Sequence, residues 1–240
     1  MITKFTFLLV CWCLLARFAF AQGGGPPMIT DDPETPDKGH FEINTSVNSE
    51  ITNQQQFSVP LLDMNYGANE RTQLKVQIPY YITTTGENKK GIGTLGYPLI
   101  GVKYRFLDQE KDSISVSTYP QILVAGNQSE LILPVEFQKT IGRFTIGEEI
   151  GYFFIESRSQ NVLNGNLLGF NVSKKAEILV ELYFDHNFNA AHTDGYVNYG
   201  FRYIFNKTFT LLASCGTQII TPASEQKQYF FSFLGMQTVF

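Results

Sequence analysis

An alternation of apolar and polar residues with a period of two begins at Phe41, continues to the end of the chain, and restricts the fold more than any other feature. Successive side chains of a β-strand point to opposite faces of a sheet, so each alternating segment predicts a strand with one apolar and one polar face. Six segments show the pattern clearly: Phe41–Asn48, Gln73–Tyr80, Ile100–Phe106, Ser113–Ile122, Glu177–Asp185 and Val197–Phe205. Six more show it less regularly: Val59–Tyr66, Glu130–Thr140, Phe144–Glu156, Val162–Val172, Phe209–Ile219 and Gln228–Phe240.

These twelve predicted strands are joined by connections of two kinds. Short polar connections alternate along the chain with mostly longer ones, a pattern typical of outer-membrane barrels, which have short turns at one end and longer loops at the other. We therefore predict an all-β fold, an antiparallel up-and-down transmembrane β-barrel of about 12 strands that occupies residues 39–240. One predicted strand is ambiguous, because Glu148 and Glu149 are adjacent and one of them must face outward.

Charge, hydropathy and cysteine content exclude several other classes of protein. The formal net charge is −4 and the chain has three cysteines, which provides no basic surface for nucleic acid and no disulfide framework. A mean hydropathy of −0.08 is too low for a bundle of membrane helices. It is compatible with a membrane barrel, because only alternate residues of each strand face lipid.

The beginning of the chain predicts export. Lys4, the apolar run Phe5–Leu15 and the small residues of Ala19–Ala21 have the order of a signal peptide, which we assign to residues 1–21. Residues 22–38 are rich in Gly, Pro and acidic side chains, and this composition does not favour a regular element.

The end of the chain predicts where the exported protein resides. The final predicted strand closes on Phe240, and a terminal aromatic residue resembles the signal by which bacterial assembly machinery recognises outer-membrane barrels. Aromatic residues also gather near the predicted strand ends, as in the girdles at membrane interfaces. We expect a protein of the outer membrane, surrounded by outer-membrane lipid and inserted by that machinery.

The polar face of the predicted barrel carries charges of both signs. Opposite charges in a narrow lumen are expected to pair, because an isolated buried charge is costly. The same groups are also candidates for a constriction that selects solutes, and the two roles are compatible. The predicted lumen-facing charges are Glu42, Lys75, Lys103, Arg105, Glu136, Glu177, Glu181, Asp185 and Arg202.

Three other motifs are candidates for chemistry. Gly91–Gly96 matches the G-x-G-x-x-G spacing, but a polar loop precedes it and a strand follows, so we interpret it as a loop rather than a cofactor site. The carboxylates between Asp31 and Asp37, close to His40, could hold a hard cation. We favour the interpretation that Asp31 and Asp32 cap turns around Pro33 in a segment that packs at the inner end of the barrel. We therefore predict no cofactor and no metal.

An enzymatic alternative depends on a group near one predicted loop. Asp185, His186, His192 and Asp194 flank residues 187–191, and such groups could activate water or a nucleophile in an outer-membrane protease or lipase. No Ser lies beside them, and the alternation places His186 on the outward face. We therefore predict no catalytic residues.

Two stretches resemble a known family. Residues 26–44 open with PPMITDDPETPDKGHFEIN, and Gly101–Phe106 reads GVKYRF. Both are similar to a family of bacterial outer-membrane transporter-like proteins named for the meta-pathway of phenol degradation. Phe41 stands where the family commonly has Trp. The matching motif residues in the opening are Thr30, Asp31, Asp32, Pro33, Glu34, Gly39 and His40.

The resemblance implies an outer-membrane barrel that passes small hydrophobic or aromatic solutes. A barrel of 12 strands is wider than the filled 8-stranded type and narrower than 16-stranded porins. We expect side chains and the Pro-rich N-terminal segment to constrict its lumen, which suits selective passage. The leading hypothesis is therefore a channel for a small-molecule solute. A barrel enzyme and a soluble secreted β-barrel binding protein are the alternatives.

Overall fold

A computed structural model describes residues 25–52, 55–85, 90–125, 128–155, 159–221, 228 and 230–240. The predicted signal peptide lies outside these residues. Apart from one short helix, α1 (Gln109–Asp112), the regular elements are strands. They are β1 (Phe41–Ile51), β2 (Gln55–Asn69), β3 (Thr72–Thr85), β4 (Lys90–Leu95), β5 (Leu99–Leu107), β6 (Ser115–Thr118), β7 (Gln121–Ala125), β8 (Gln128–Ile141), β9 (Phe144–Ile155), β10 (Ser159–Asn171), β11 (Ala176–Asn187), β12 (His192–Ile204), β13 (Phe209–Ile220) and β14 (Phe230–Val239).

The strands form one closed antiparallel barrel with 12 strand positions around its circumference, which we call staves. Ten staves are single strands, and two consist of a pair of segments: β4 and β5 both pair with β3, while β6 and β7 both pair with β8. The breaks fall at residues 96–98 and at Tyr119 and Pro120, where a proline has no N–H to donate to the neighbouring strand. Pairing of β1 with β14 closes the ring. The predicted all-β, up-and-down barrel of about 12 strands is confirmed.

The even number of staves places both ends of the barrel chain at one rim. There the backbones of Phe41 and Phe240 exchange hydrogen bonds of 2.8 and 3.0 Å, and their rings lie 5.9 Å apart. Turns at residues 70–71, 142–143, 172–175 and 205–208 lie at the same rim, together with α1, which replaces a predicted tight turn. We call this the turn rim and the opposite end the loop rim.

The structure corrects the sequence analysis near the loop rim. Strands continue into segments that were predicted as long loops, with β1 reaching Ile51 and β3 reaching Thr85. The G-x-G-x-x-G run was predicted as a loop, but most of it forms β4, which pairs with β3 from Tyr80↔Leu95 onward. Its glycines hide the alternation because they supply no apolar side chain at the expected positions.

The barrel wall is apolar outside and polar inside, as alternation predicts. Tyr199 on the outer face is 56% exposed, whereas its neighbour Asn198 is 1% exposed. The ambiguous pair on β9 is resolved in the same way, since Glu149 points inward and Glu148 points outward. Within the part of the chain that the structure describes, no helix is long and apolar enough to cross a membrane.

Two aromatic residues mark the height of the apolar outer surface. Phe144 and Phe154 both lie on the outer face of β9, near the turn rim and the loop rim respectively. Ten residues of strand rise by about 33 Å, or roughly 25 Å along the axis of a barrel whose strands tilt by about 40°. That height matches the apolar band of outer-membrane barrels.

Candidate functional site: a lumen occupied by the N-terminal segment

The segment before β1 folds back into the barrel, and we call residues 25–38 the plug. It enters at the turn rim, where the N–H of Gly39 donates to the carbonyl of Gly67 at 2.8 Å and the N–H of Gly67 donates to His40 at 3.0 Å. The N–H of His40 also donates to the carbonyl of Asp37 at 2.9 Å. The last two residues of the family-like motif therefore form the entrance of the plug, and the earlier ones lie inside the lumen.

Carboxylates of the barrel wall hold the plug backbone at its deepest point. Glu181 on β11 accepts hydrogen bonds from the N–H groups of Ile29, at 3.1 Å, and Thr30. Glu149 on β9 accepts one from the N–H of Asp31 at 2.6 Å. These N–H groups have no strand partner, and a buried N–H without an acceptor is costly. The charged acceptors make the bonds strong.

A lysine on β5 binds the plug from the opposite side. The ammonium of Lys103 lies 3.2 Å from Asp31 and 3.3 Å from Glu136, and it donates to the carbonyl of Asp32. Lys103 is only 1% exposed, so its charge is neutralised by this contact set rather than by water. Its ammonium also lies 4.7 Å from the centre of the Tyr119 ring, at cation–π distance.

Two arginines bind the plug nearer the turn rim. Arg105 forms an ion pair with Glu34, whose other carboxylate oxygen accepts from Ser115 at 3.1 Å. Arg202 donates to the carbonyls of Gly25 and Pro26 at 2.9 to 3.1 Å. The plug is therefore attached along its whole length.

A glycine in the wall creates the space that the plug needs. At Gly165 on β10, an added Cβ would overlap the side chain of Thr30. Beside it, Met28 packs against Leu167 and Leu179, which form the apolar cluster inside the barrel. The plug is therefore held by steric fit against the barrel wall as well as by ion pairs and hydrogen bonds.

The two adjacent plug carboxylates have opposite electrostatic environments. For Asp31, burial raises the pKa, but Lys103, Lys75 and hydrogen bonds to the carboxylate outweigh it and leave the pKa lowered. Burial raises the pKa of Asp32 to about 8, with Lys103 opposing that rise and Asp31 adding to it. The buried plug therefore favours an ionised Asp31 beside a protonated Asp32.

The nine predicted lumen-facing charges all point to the interior but have different contacts. Lys103, Arg105, Glu181 and Arg202 bind the plug directly, while Glu136 and Glu177 reach it through the cations of Lys103 and Arg202. The remaining three do not bind it: Lys75 pairs with Asp63 at 3.3 Å, Glu42 accepts from Asn44 at 3.2 Å, and Asp185 accepts from Asn161 at 2.9 Å.

Glu50, Asp63 and Glu149 also point into the lumen but were not among the predicted lumen-facing charges. Glu149 lies on the strand where the alternation was ambiguous, and Asp63 lies on one of the less regular strands. Two signals were available: one of the adjacent Glu148 and Glu149 must face the lumen, and Glu50 continues the inward series of β1.

Three of the four candidate catalytic residues lie together on the lumen face, and the fourth does not. Asp185 and Asp194 are register partners on β11 and β12, His192 pairs with Asp194 at 3.4 Å, and Asp185 accepts a hydrogen bond from Asn161. His186 contacts Thr193 and lies on the other face of β11. Among the described residues, no group of three or more His, Cys, Asp or Glu could hold a metal ion.

The plug divides the remaining space of the lumen. On its loop-rim side lies an open cavity of about 490 Å³, which we call the vestibule. A pocket of about 20 Å³ lies between the plug and inward side chains of β1, β2, β3 and β14, and Lys103 and Arg202 also line it. The two spaces meet at Asp31, Asp63 and Lys75, which line both of them.

This arrangement distinguishes two parts of the barrel wall. The anchored wall, from β5 to β13, supplies every side chain that binds plug residues 25–34. The conduit wall consists of β14, β1, β2 and β3, and beyond the plug entrance no hydrogen bond or ion pair joins its described inward side chains to the plug. Those side chains are Glu42, Asn44, Asp63, Asn65, Gln73, Lys75 and Gln237.

Comparison with solved structures identifies similar barrels. The crystal structure of an outer membrane channel from Pseudomonas putida F1 has a TM-score of 0.69 at 12% identity, covering 89% of this chain and 100% of that chain. The KdgM porin has a TM-score of 0.59 at 10% identity, covering 82% and 99%. The NanC porin has a TM-score of 0.59 at 9% identity, covering 82% and 98%. At these identities the likeness establishes a shared fold.

Sequence comparison adds no relative to these structures. No protein-family model matches the chain, and none of the curated proteins matches it in sequence.

Proposed function

We propose that this protein is an outer-membrane channel for small solutes, in which the plug narrows the lumen to a passage beside the conduit wall. The observation that carries the proposal is the pair of spaces that meet at Asp31, Asp63 and Lys75. An apolar outer band and a polar interior suit a pore through a bilayer. The shared fold with an outer membrane channel and two porins supports the same role.

The route to the membrane belongs to this proposal. A signal peptide at residues 1–21 directs export, and Phe240 presents the final strand to the assembly machinery. Phe240 lies at the seam where β14 pairs with β1, so recognition of this strand would precede closure of the barrel. Normal insertion of a chain that lacks Phe240 would contradict its role as the assembly signal.

The solute is a small molecule with an apolar part, and the protein performs no catalysis on it. Support for the solute class comes from the family-like motifs and from the apolar residues of the vestibule, among them Leu61, Ile132 and Leu163. A passage narrowed to the pocket beside the plug excludes large hydrophilic solutes unless the plug moves.

Planar-bilayer recording tests the channel role. We expect a small single-channel conductance for the mature protein and a conductance at least severalfold larger for a variant that lacks residues 22–37. The control is Glu148→Gln on the outer face, which removes a carboxylate next to Glu149 without touching the plug and should conduct like the unmodified protein. Heat-dependent gel mobility verifies that each barrel is assembled.

Absence of transport both with and without the plug would overturn the channel role. If assembled barrels with and without the plug pass neither ions in bilayers nor small solutes in liposomes, the protein is a closed barrel.

A further inference from the structure

A strip of aromatic rings crosses the wall of the vestibule. The rings of Tyr183 on β11 and Tyr196 on β12 lie 5.8 Å apart, and Tyr196 meets the ring of Phe231 at 6.1 Å. Phe231 belongs to β14 and reaches across β13 because Gly216 supplies no side chain, and a Cβ there would overlap the ring. The result is a continuous aromatic surface that spans four staves and faces the cavity.

Carboxylates flank this aromatic strip. Asp185 lies two residues beyond Tyr183 on the same face of β11, and Glu50 is the register partner of Phe231. Both line the vestibule, and neither has a Lys or Arg within ion-pair distance among the described residues. The rings therefore lie between two carboxylates that no described lysine or arginine neutralises, although His186 and His192 lie near Asp185.

The charge of the whole vestibule is strongly one-sided. Its lining contains five carboxylates and one basic residue, Lys75. Lys75 pairs with Asp63 at 3.3 Å and Lys103 pairs with Asp31 at 3.2 Å, which leaves three carboxylates without a Lys or Arg at ion-pair distance among the described residues. The lining carboxylates are Asp31, Glu50, Asp63, Glu149 and Asp185. This excess favours a cationic solute and opposes an anionic one.

Two buried amides give an independent indication of the ligand's chemistry. Asn198 is 1% exposed and donates through its Nδ2 to Glu181 at 3.1 Å, while Asn44 is 2% exposed and donates to Glu42 at 3.2 Å. Because an ionised carboxylate only accepts hydrogen bonds, these contacts fix the orientation of both amides. Their Oδ1 atoms are buried without a donor, and both residues line the vestibule. Both amides therefore place an unpaired acceptor beside the cavity, which favours a ligand that donates hydrogen bonds.

We propose that the vestibule binds a small organic cation, an ammonium group carried on an apolar body. The inference rests on the proposed function and names the class of solute. The ammonium donates N–H groups to Asp185 and lies against the faces of Tyr183 and Tyr196, an arrangement suited to cation–π attraction. The apolar body packs on Phe153 and Leu163. A cavity of about 490 Å³ has the size of a small-ligand site.

Calorimetric titration of the purified mature barrel in detergent tests the assignment with three probes of one shape. The probes are 2-phenylethylammonium, 2-phenylethanol and 3-phenylpropanoate, which share the ring and differ in charge. We expect the ammonium to bind about tenfold more tightly than the alcohol, since 1.4 kcal/mol corresponds to a factor of ten, and the carboxylate to bind most weakly. Equal affinities, or tightest binding of the carboxylate, would overturn the proposal.

Matched variants locate the site. Asp185→Asn should weaken binding of the ammonium severalfold and leave the alcohol unchanged, whereas Tyr196→Leu should weaken both. The control Glu148→Gln removes the same charge on the outer face and should change neither. If Asp185→Asn fails the gel-mobility test of assembly, Glu50→Gln provides the same comparison at the other end of the strip. Unchanged ammonium affinity in both carboxylate variants would contradict the site.

The channel role and this inference fail in different ways. Normal conductance without preference for the ammonium would leave the channel standing and reject the cation site. Tight, Asp185-dependent binding by a barrel that never conducts would support the site and reject the channel.

Discussion

The anchored wall and the conduit wall are built from the same alternation of residues, yet the side chains of their polar faces bind different partners. On the anchored wall, Lys103, Glu149 and Glu181 bind the plug across the lumen. On the conduit wall, polar residues bind their neighbours in the sheet, as in the Asp63–Lys75 ion pair and the bond from Gln73 to Asn65 at 2.7 Å. Residues that bind across the lumen obstruct it, whereas residues that bind along the wall leave space for a solute.

The plug's own chemistry explains why it is held on one side. Its backbone lacks strand partners, so its N–H groups need acceptors, and carboxylates at the middle of β9 and β11 supply them. Its acidic side chains need cations, which β5 supplies. The conduit wall has one lysine, Lys75, and that residue is already paired within the sheet.

The largest expected effect distinguishes the lysines of the two walls. Lys103→Ala leaves Asp31 and the fully buried Glu136 without their cation, and breaking a buried pair in this way costs about 3–5 kcal/mol. Lys75→Ala should cost less than half as much, because it removes the cation of one carboxylate, Asp63, rather than of two. Urea unfolding in detergent measures both variants, and bilayer recording should show a higher conductance for Lys103→Ala. Equal losses would remove the distinction between the walls.

The second prediction tests the register on which both walls depend. Tyr199→Lys places a charge on the outer face of β12, which costs about 2–4 kcal/mol near the middle of a bilayer. Asn198→Lys places the same charge inside, next to Glu181, and should cost much less. Unfolding of the barrel in lipid vesicles compares the pair, and similar stabilities would mean that this face does not contact lipid.

The alternation of apolar and polar residues predicts which side chains face the lumen, but it does not predict what they bind there. It identifies the strands, the inward residues Lys103, Arg105 and Arg202, and the outward Tyr199, because these follow directly from a period of two. It cannot identify their partners. The expectations that opposite charges pair in the lumen and that the Pro-rich segment constricts it did not say which groups meet, because the prolines and turns of the plug have no period. The fold and a constricted lumen were therefore predictable, and the contacts that hold the plug were not.

A smaller effect is expected from filling the space at Gly165. An added methyl group there overlaps Thr30 and should cost about 1–3 kcal/mol of plug binding. Gly147→Ala on the neighbouring strand is the control, because its Cβ would meet Leu167 at an ordinary 3.4 Å. Gly165→Ala should raise single-channel conductance, whereas Gly147→Ala should not. A closed channel in both variants would show that the plug adjusts to the methyl group.

The smallest predicted effect concerns pH and the carboxyl of Asp32. In the docked plug its pKa is raised to about 8, whereas a segment released into water returns to the ordinary value of 3.8. Release therefore frees a proton between these two values, so raising the pH from 5 to 8 favours release and should increase conductance. Asp31, with its lowered pKa, stabilises docking above pH 3.8 and is constant in this window.

The variant Asp32→Asn isolates this contribution. The groups that face Asp32 are Asp31 and Glu34 within the plug, Lys103 on β5 and Arg202 on β12, and both cations oppose the rise of its pKa. The expected conductance change is nevertheless small, because Lys103, Glu181 and Arg202 hold the plug at both pH values. Recordings at pH 5 and pH 8 should show a rise in the unmodified protein and a flatter response in Asp32→Asn. An identical rise in both would assign the pH response to wall carboxylates such as Glu149, and the plug would then be released by its anchors rather than by its own acid.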